Sequence, residues 1–297
     1  MVLISAVFHL SAEKIADPDG LYHITHAQIY RDQGLLSVDF PWVQYSAISQ
    51  YKADIWYGFH ILLIPFTYFT NPITGIKMAG IFLTSLVLVI FFFILRGLRV
   101  RYSLFWTVLL FFLVPDLHWR LLMVRPHTLT FILSVLLLYF LAKNNRRGIL
   151  FSALVISFFH LALSWVVFLI VGIVLLSQAI TKSEVKFISA VYAIVGATIG
   201  WLARPNPVGA IKLAYIQVVQ LMVEKLNGVP IKFGSELKPG NHWSVLITEF
   251  LPIAILLILS ARAWLKNKPA HESENMLLWS SLILAVIFGG IFIFIAR

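Results

Sequence analysis

The stretch MAGIFLTSLVLVIFFFIL, residues 78–95, decides the fold: its 18 residues carry no charged side chain. A segment of that length reads as a membrane span, because about 20 residues at 1.5 Å each cross a hydrocarbon core about 30 Å thick. Working outward, the chain repeats the pattern. Apolar runs at 104–114, 128–142, 149–159, 161–176, 187–202, 245–259 and 276–296 bring the expected total to eight spans. Several are short, which is tolerated where helix ends are buried in protein or line a wet cavity. The expectation is an all-α, polytopic transmembrane bundle forming a single domain. Residues 1–77 hold a first outer loop with juxtamembrane segments, 78–202 the core spans, 203–243 a second long outer loop, and 244–297 the last two spans.

Composition agrees. Of 297 residues, 60% are hydrophobic and 12% charged, with a mean hydropathy of +0.89. A globular domain carries about 25% charged residues. A soluble chain of this length could not hide so much apolar surface, whereas a bilayer accepts it as solvent. The net charge of +10 does not point to nucleic acid, because the basic residues form short clusters between apolar runs rather than one stripe. Cysteine is absent, which removes disulfides, thiolate nucleophiles and zinc–cysteine sites.

The ends read as truncated. Residues 1–10 are apolar but too few to cross, so they are either an interfacial start or the stump of a first helix. The last apolar run stops at Arg297. Both features lead to the expectation of a fragment.

Orientation follows from the basic loops. Arg96, Arg99 and Arg101 form one cluster, Lys143, Arg146 and Arg147 a second, Lys182 and Lys186 a third, and Arg262, Lys266 and Lys268 a fourth. All four fall on one side if the unbroken run 149–176 is split near residues 160–164. The positive-inside rule makes that side cytoplasmic. The acidic residues of 13–54, the loop 115–127 and the segment 203–243 then share the opposite face, and 55–69 becomes interfacial or re-entrant. Within 203–243, Ile211, Tyr215, Val219, Met222 and Leu226 recur at helical spacing among Lys212, Gln217, Gln220, Glu224 and Lys225. This is the pattern of an amphipathic helix lying on a membrane surface.

Two stretches concentrate the polar chemistry. The first is DPDGLYHITH, residues 17–26. Asp17 and Asp19, followed by Tyr22, His23 and His26, suit a divalent cation or acid–base work. Either aspartate also suits a helix cap. The second is PDLHWRLLMVRPH, residues 115–127. Asp116 is an ionisable group at the end of a membrane helix, a functional candidate by default, and Arg120, Arg125 and His127 suit an anionic phosphate. The bland alternative is an interfacial Trp-Arg belt with Pro126 opening the next helix. His160, Glu236 and His242 are weaker candidates, and Arg204 could either meet a lipid phosphate or snorkel to the interface. No phosphate-binding glycine loop, dinucleotide fingerprint, nucleophile elbow or His-Glu-x-x-His motif is present.

With those residues in view, DPDGLYHITHA (17–27) resembles the first outer loop of the GT-C membrane glycosyltransferases, most closely the catalytic subunits of oligosaccharyltransferases. Protein mannosyltransferases and aminoarabinose transferases show a similar order. Here that order is Trp56-Tyr57-Gly58, a span ending in basic residues, a loop with acid and arginine, and a helix–break–helix around His160. The family's arginine after Tyr-His is Thr25 or His26 in this chain. The resemblance implies a GT-C fold and a sugar donor on a polyprenyl phosphate or pyrophosphate. It also implies Asp19, beside Asp17, as the first-loop acid and Asp116 as the second. These three would act in base catalysis or hold a divalent cation, Mg or Mn. Arg120, Arg125, His127 and Arg204 would bind the donor phosphate. The expected function is sugar transfer on the periplasmic, extracellular or lumenal face, with membrane lipid and a polyprenyl-linked donor as partners. The rival readings are a transporter or flippase for a lipid-linked or anionic solute, and a non-catalytic scaffold of the same fold.

Overall fold

The computed structural model describes residues 1–12, 14–40, 43–113, 115–230, 262, 276–277 and 279–283, with the side chains of 113, 115 and 116 excepted. The expectations for 245–259, 284–296, Glu236 and His242 lie outside the described residues. Among the described residues every regular element is helical: α1 (Val2–Ser11), α2 (Asp19–Gln33), α3 (Ala47–Tyr51), α4 (Tyr57–Leu63), α5 (Pro72–Gly97), α6 (Ser103–Leu113), α7 (Pro115–Leu122), α8 (Pro126–Ala142), α9 (Arg146–Phe159), α10 (Trp165–Ile180), α11 (Ile188–Leu202), α12 (Pro207–Tyr215) and α13 (Leu221–Leu226).

The starts of these helices are written into the sequence. Asn71, Asn145 and Asn206 each accept a main-chain N–H of the first helical turn through the side-chain oxygen, at 2.9, 3.1 and 2.9 Å. Pro72, Pro126 and Pro207 stand at the first helical position, where the missing N–H costs nothing. The helix α5, with 26 residues, is about 39 Å long.

Two helices are long and apolar enough to cross a membrane, Pro72–Gly97 and Leu161–Ile180. A third arises if α11 and the helix after it, bent by 111°, count as one span. The helices α1, α6 and α8 are apolar but shorter.

The run 149–176 breaks where the basic loops require. Helix α9 ends at Phe159, a short 3-10 turn covers Leu161–Leu163, and α10 begins at Trp165. Residues 115–122, expected as loop, instead form α7, whose first turn contains Asp116; the Asp116 side chain is outside the described residues. In the amphipathic segment, α12, a π-helical stretch (Ile216–Gln220) and α13 follow one another. Ala210, Leu213 and Ala214 are buried there, and the row Ile211, Tyr215, Val219, Met222 and Leu226 is exposed. That row has its apolar side chains turned away from the protein, as a helix resting on lipid requires.

The helices alternate in direction. Near its start α5 meets Gly20 of α2 through Ile76, and at its far end Gly97 lies against Tyr139 of α8. The helix α9 runs back, so that Phe158 and Phe159 meet Gly58 of α4, and α10 returns to Gln178, whose side chain accepts the Lys186 N–H at 3.1 Å. One end of the bundle therefore gathers α2, α4 and the starts of α5 and α8. The basic clusters around residues 96–101, 143–147 and 182–186 sit at the other.

The tightest seam joins α9 and α11. A Cβ added at Gly196 would meet the Leu150 carbonyl oxygen at 2.3 Å, and one at Gly200 the Leu154 oxygen at 2.2 Å. The four-residue spacing puts both glycines on one face, which lets the backbones touch as small residues do between membrane helices.

Candidate functional site

The first half of the site is a turn. Asp17, Pro18, Asp19 and Gly20 fold so that Gly20 N–H reaches the Asp17 carbonyl at 3.3 Å and Leu21 N–H the Pro18 carbonyl at 3.0 Å. Helix α2 thus starts at Asp19, with an acid in its first turn where the helix dipole favours one. The Asp17 carboxylate accepts the Asp19 N–H only loosely, at 3.4 Å. Its main partner comes from the other end of the first 125 residues.

That partner is Arg125. Pro126 opens α8 and holds the residue before it extended, with Arg125 at φ −133°, ψ 151°. The guanidinium then spans both aspartates. Its Nε bonds Asp17 Oδ2, its Nη2 bonds Asp17 Oδ1 at 2.8 Å, and Nη2 also meets Asp19 Oδ2 at 2.8 Å. The fork on Asp17 is the strong, directional form of ion pair. Burial separates the acids: the Asp17 side chain is 5% exposed and that of Asp19 52%. Asp17 is sealed by arginine, and Asp19 keeps one side open. A narrow crevice beside them is lined by Lys14, Ile76, Lys77, Leu122 and Val124. A divalent ion taken by both carboxylates would have to displace the guanidinium lying between them.

The second half lies directly beneath. Along α2, His23, His26 and Tyr30 share the buried face turned to α4. There they meet Asp54, 6% exposed, and His60, fully buried. Asp54 Oδ2 accepts from Tyr30 Oη at 3.0 Å and from His60 Nδ1 at 2.6 Å, and Oδ1 accepts from the Trp56 N–H at 2.8 Å. His60 Nε2 lies 2.8 Å from His23 Nδ1, so a hydrogen-bonded line runs Asp54–His60–His23. The His26 ring stacks on His60 with centroids 4.3 Å apart, and its Nε2 is 3.7 Å from Asp54 Oδ2.

Electrostatics assigns the charges. Burial pushes the Asp54 carboxyl up, but the adjacent His60 and His26 and the hydrogen bonds from His60 and Trp56 N–H outweigh it, so Asp54 lies well below the ordinary carboxylate range. Burial drives His26 down to about 3, helped by His60 and opposed by Asp54. His23 is lowered well below its ordinary value, first by burial and then by its neighbours, Arg125 among them. Burial also raises Tyr30, which stays a phenol able to donate to Asp54. The centre is an ionised carboxylate beside the uncharged rings of His23 and His26 and the Tyr30 phenol.

The remaining predicted residues fall elsewhere. Arg120 is exposed near the end of α7, and His127 is half-buried in the first turn of α8. Arg204, expected at the donor phosphate, is 6% exposed and committed to main-chain carbonyls: Trp201 (3.1 Å), Asp54 (3.0 Å), Ser157 (2.6 Å), Phe158 (3.4 Å) and Gly200 (3.3 Å). Four of those carbonyls belong to the last turns of α9 and α11, which have no intrahelical partner. A cation there also suits both helix dipoles.

The same region fixes Asp54. Leu161 N–H bonds the Ile55 carbonyl at 3.0 Å, and Asn206 bonds the Tyr51 carbonyl at 2.9 Å. Gly58 makes the approach possible, since a Cβ there would fall 2.3 Å from the Phe158 ring.

Asp54 and His60 carry no motif in the sequence. One signal was present: between Lys52 and Lys77 they are the only Asp, Glu, His, Lys or Arg residues, in an otherwise apolar stretch. Such groups, when buried, demand partners.

Comparison with known proteins finds no family model, no curated sequence and no solved structure that matches the chain.

Proposed function

We propose that this chain is a GT-C-type membrane glycosyltransferase of about eight spans, transferring a sugar from a polyprenyl-phosphate-linked donor to an acceptor on the non-cytoplasmic face. The observation that carries the reading is the joining of Arg125 to Asp17 and Asp19. Two stretches singled out for their chemistry, more than 100 positions apart, meet in one ion-paired group. The non-cytoplasmic assignment rests on the three described basic clusters lying at the far helix ends.

In this reading Asp19, the half-open acid, takes the proton from an acceptor hydroxyl as its oxygen attacks the anomeric carbon. The bond from that carbon to the phosphate oxygen breaks, and the electron pair leaves with the polyprenyl phosphate. Arg125 holds Asp19 in place and, with Arg120 and His127 on neighbouring helix ends, presents positive charge to the departing phosphate. Asp17 keeps the guanidinium aimed. Asp116, in the first turn of α7, is the second acid.

The test uses the purified full chain in lipid with polyprenyl-phosphate- and polyprenyl-pyrophosphate-linked sugars and a host extract as acceptor source, reading the released lipid phosphate. Acceptor-dependent release is expected from the wild type. It is expected to vanish in Asp19→Ala and Asp116→Ala while both proteins remain membrane-inserted. Wild-type release by both variants overturns the site, and no release from any donor overturns the activity.

A further inference from the structure

The geometry points to a second, buried site: a zinc-type divalent cation bound by His26, Asp54 and His60. One ligand atom from each lies within 4.8 Å of the others. Zinc bonds imidazole nitrogen at about 2.0–2.1 Å and carboxylate oxygen at about 2.0–2.2 Å, so tetrahedral ligands stand about 3.3 Å apart. The two measured separations bracket that spacing: 2.6 Å from His60 Nδ1 to Asp54 Oδ2, and 3.7 Å from His26 Nε2 to the same oxygen. Loading the ion needs the first contact opened by about 0.7 Å and the second closed by about 0.4 Å. Parallel rings cannot both aim lone pairs at one ion, so His26 also turns out of its stack on His60.

The surroundings are those of a metal site before its metal. Ligating histidines bond their second nitrogen to an orienting group, and ligating carboxylates are themselves hydrogen-bonded. Here His60 Nε2 is already set on His23 Nδ1 at 2.8 Å. Asp54 Oδ1 is held by the Trp56 N–H at 2.8 Å, and Tyr30 Oη reaches Oδ2 at 3.0 Å. The nearby guanidinium of Arg204 bonds the Asp54 carbonyl, leaving the carboxylate to the histidines, the Trp56 N–H and the phenol. All three ligands are at most 6% exposed, so the ion staples α2 to the segment 54–60, with a water completing its tetrahedron. An N₂O donor set of two imidazoles and one carboxylate favours zinc over magnesium, which prefers oxygen. The site is independent of the Asp17–Asp19–Arg125 group and of the transferase reading.

The purified full chain in detergent, dialysed against zinc and then metal-free buffer, is expected to retain about one zinc per chain by elemental analysis. X-ray absorption should show two imidazole ligands, and cobalt replacement the visible bands of a tetrahedral site. His26→Gln and His60→Gln should each lose at least ten-fold in zinc affinity, whereas Asp17→Asn and Asp19→Asn retain it. A wild type without stoichiometric zinc, or zinc lacking imidazole scattering, overturns the site. So does retention in both histidine variants, or loss confined to the Asp17 and Asp19 variants. Should the histidine variants fail to fold, the wild-type absorption spectrum decides.

Discussion

Asp19 and Asp54 are the same residue type in two settings barely one helix apart. Asp19 sits at a helix start, half open, against the permanent charge of Arg125. Asp54 is sealed among imidazoles and a phenol, with its carbonyl held by Arg204 and that of Ile55 next to it by the Leu161 N–H. An exposed carboxylate facing a fixed cation can meet an incoming group and exchange a proton with it. A buried one, surrounded by donors and closed to solvent, acts only on the groups packed around it. In the proposed reading, position relative to solvent, rather than chemical identity, sets the two aspartates apart.

Substitutions can break this contrast. The largest expected effect is on activity. Asp19→Asn removes the open base and should lower transfer at least about 100-fold, the lower range for general-base loss. Its unfolding temperature in detergent should scarcely change, because exposed pairs contribute about 0–1 kcal/mol. A parallel loss of both would make Asp19 a structural residue. Next, Arg125→Met strands the buried Asp17 carboxylate and should cost about 3 kcal/mol, the lower end for breaking a buried pair. Restoring stability with Asp17→Asn in the same chain would identify the stranded charge as the cause.

Gly200→Ala tests the scaffold beneath Asp54. Its Cβ would strike the Leu154 carbonyl and force α9 from α11, a loss of about 1–3 kcal/mol read by thermal unfolding. The smallest effect sharpens the Asp54 side. Tyr30→Phe keeps the ring and deletes one hydrogen bond to the carboxylate, costing about 1.5 kcal/mol, the lower end for a bond to a charged group. Transfer by this variant should stay within a few-fold of wild type, in contrast with Asp19→Asn.

The sequence announces what composition and periodicity can carry. Among the described residues the apolar runs become helices, two or three of them long enough to span, the break at His160 appears where charge placement puts it, and the row from Ile211 to Leu226 forms an exposed apolar face. The Asp17–Asp19 turn is legible because its chemistry is contiguous. Its pairing with Arg125 is not legible there, because an arginine more than 100 positions away reads as a phosphate binder. The Asp54 centre is much harder to read, since Tyr30, Asp54 and His60 come from separate elements with no shared period. Arg204 illustrates the same limit. A lone arginine beside a polar segment reads as an anion receptor, and only the placement of two helix ends shows that their carbonyls claim its donors. Residues 115–122 look like loop because the run is short and polar, yet Pro115 at the start suits a first helical turn.

Arg204 also sets a timetable. Its bond to the Asp54 carbonyl joins positions 150 residues apart. At about 5–20 residues per second, a ribosome needs on the order of 10–30 s to add them. During that interval the first polar loop has already emerged but lacks its fastening. Closure of that loop therefore waits on delivery of residue 204 to the membrane, and an N-terminal piece ending before it should expose a loop easily cut by protease.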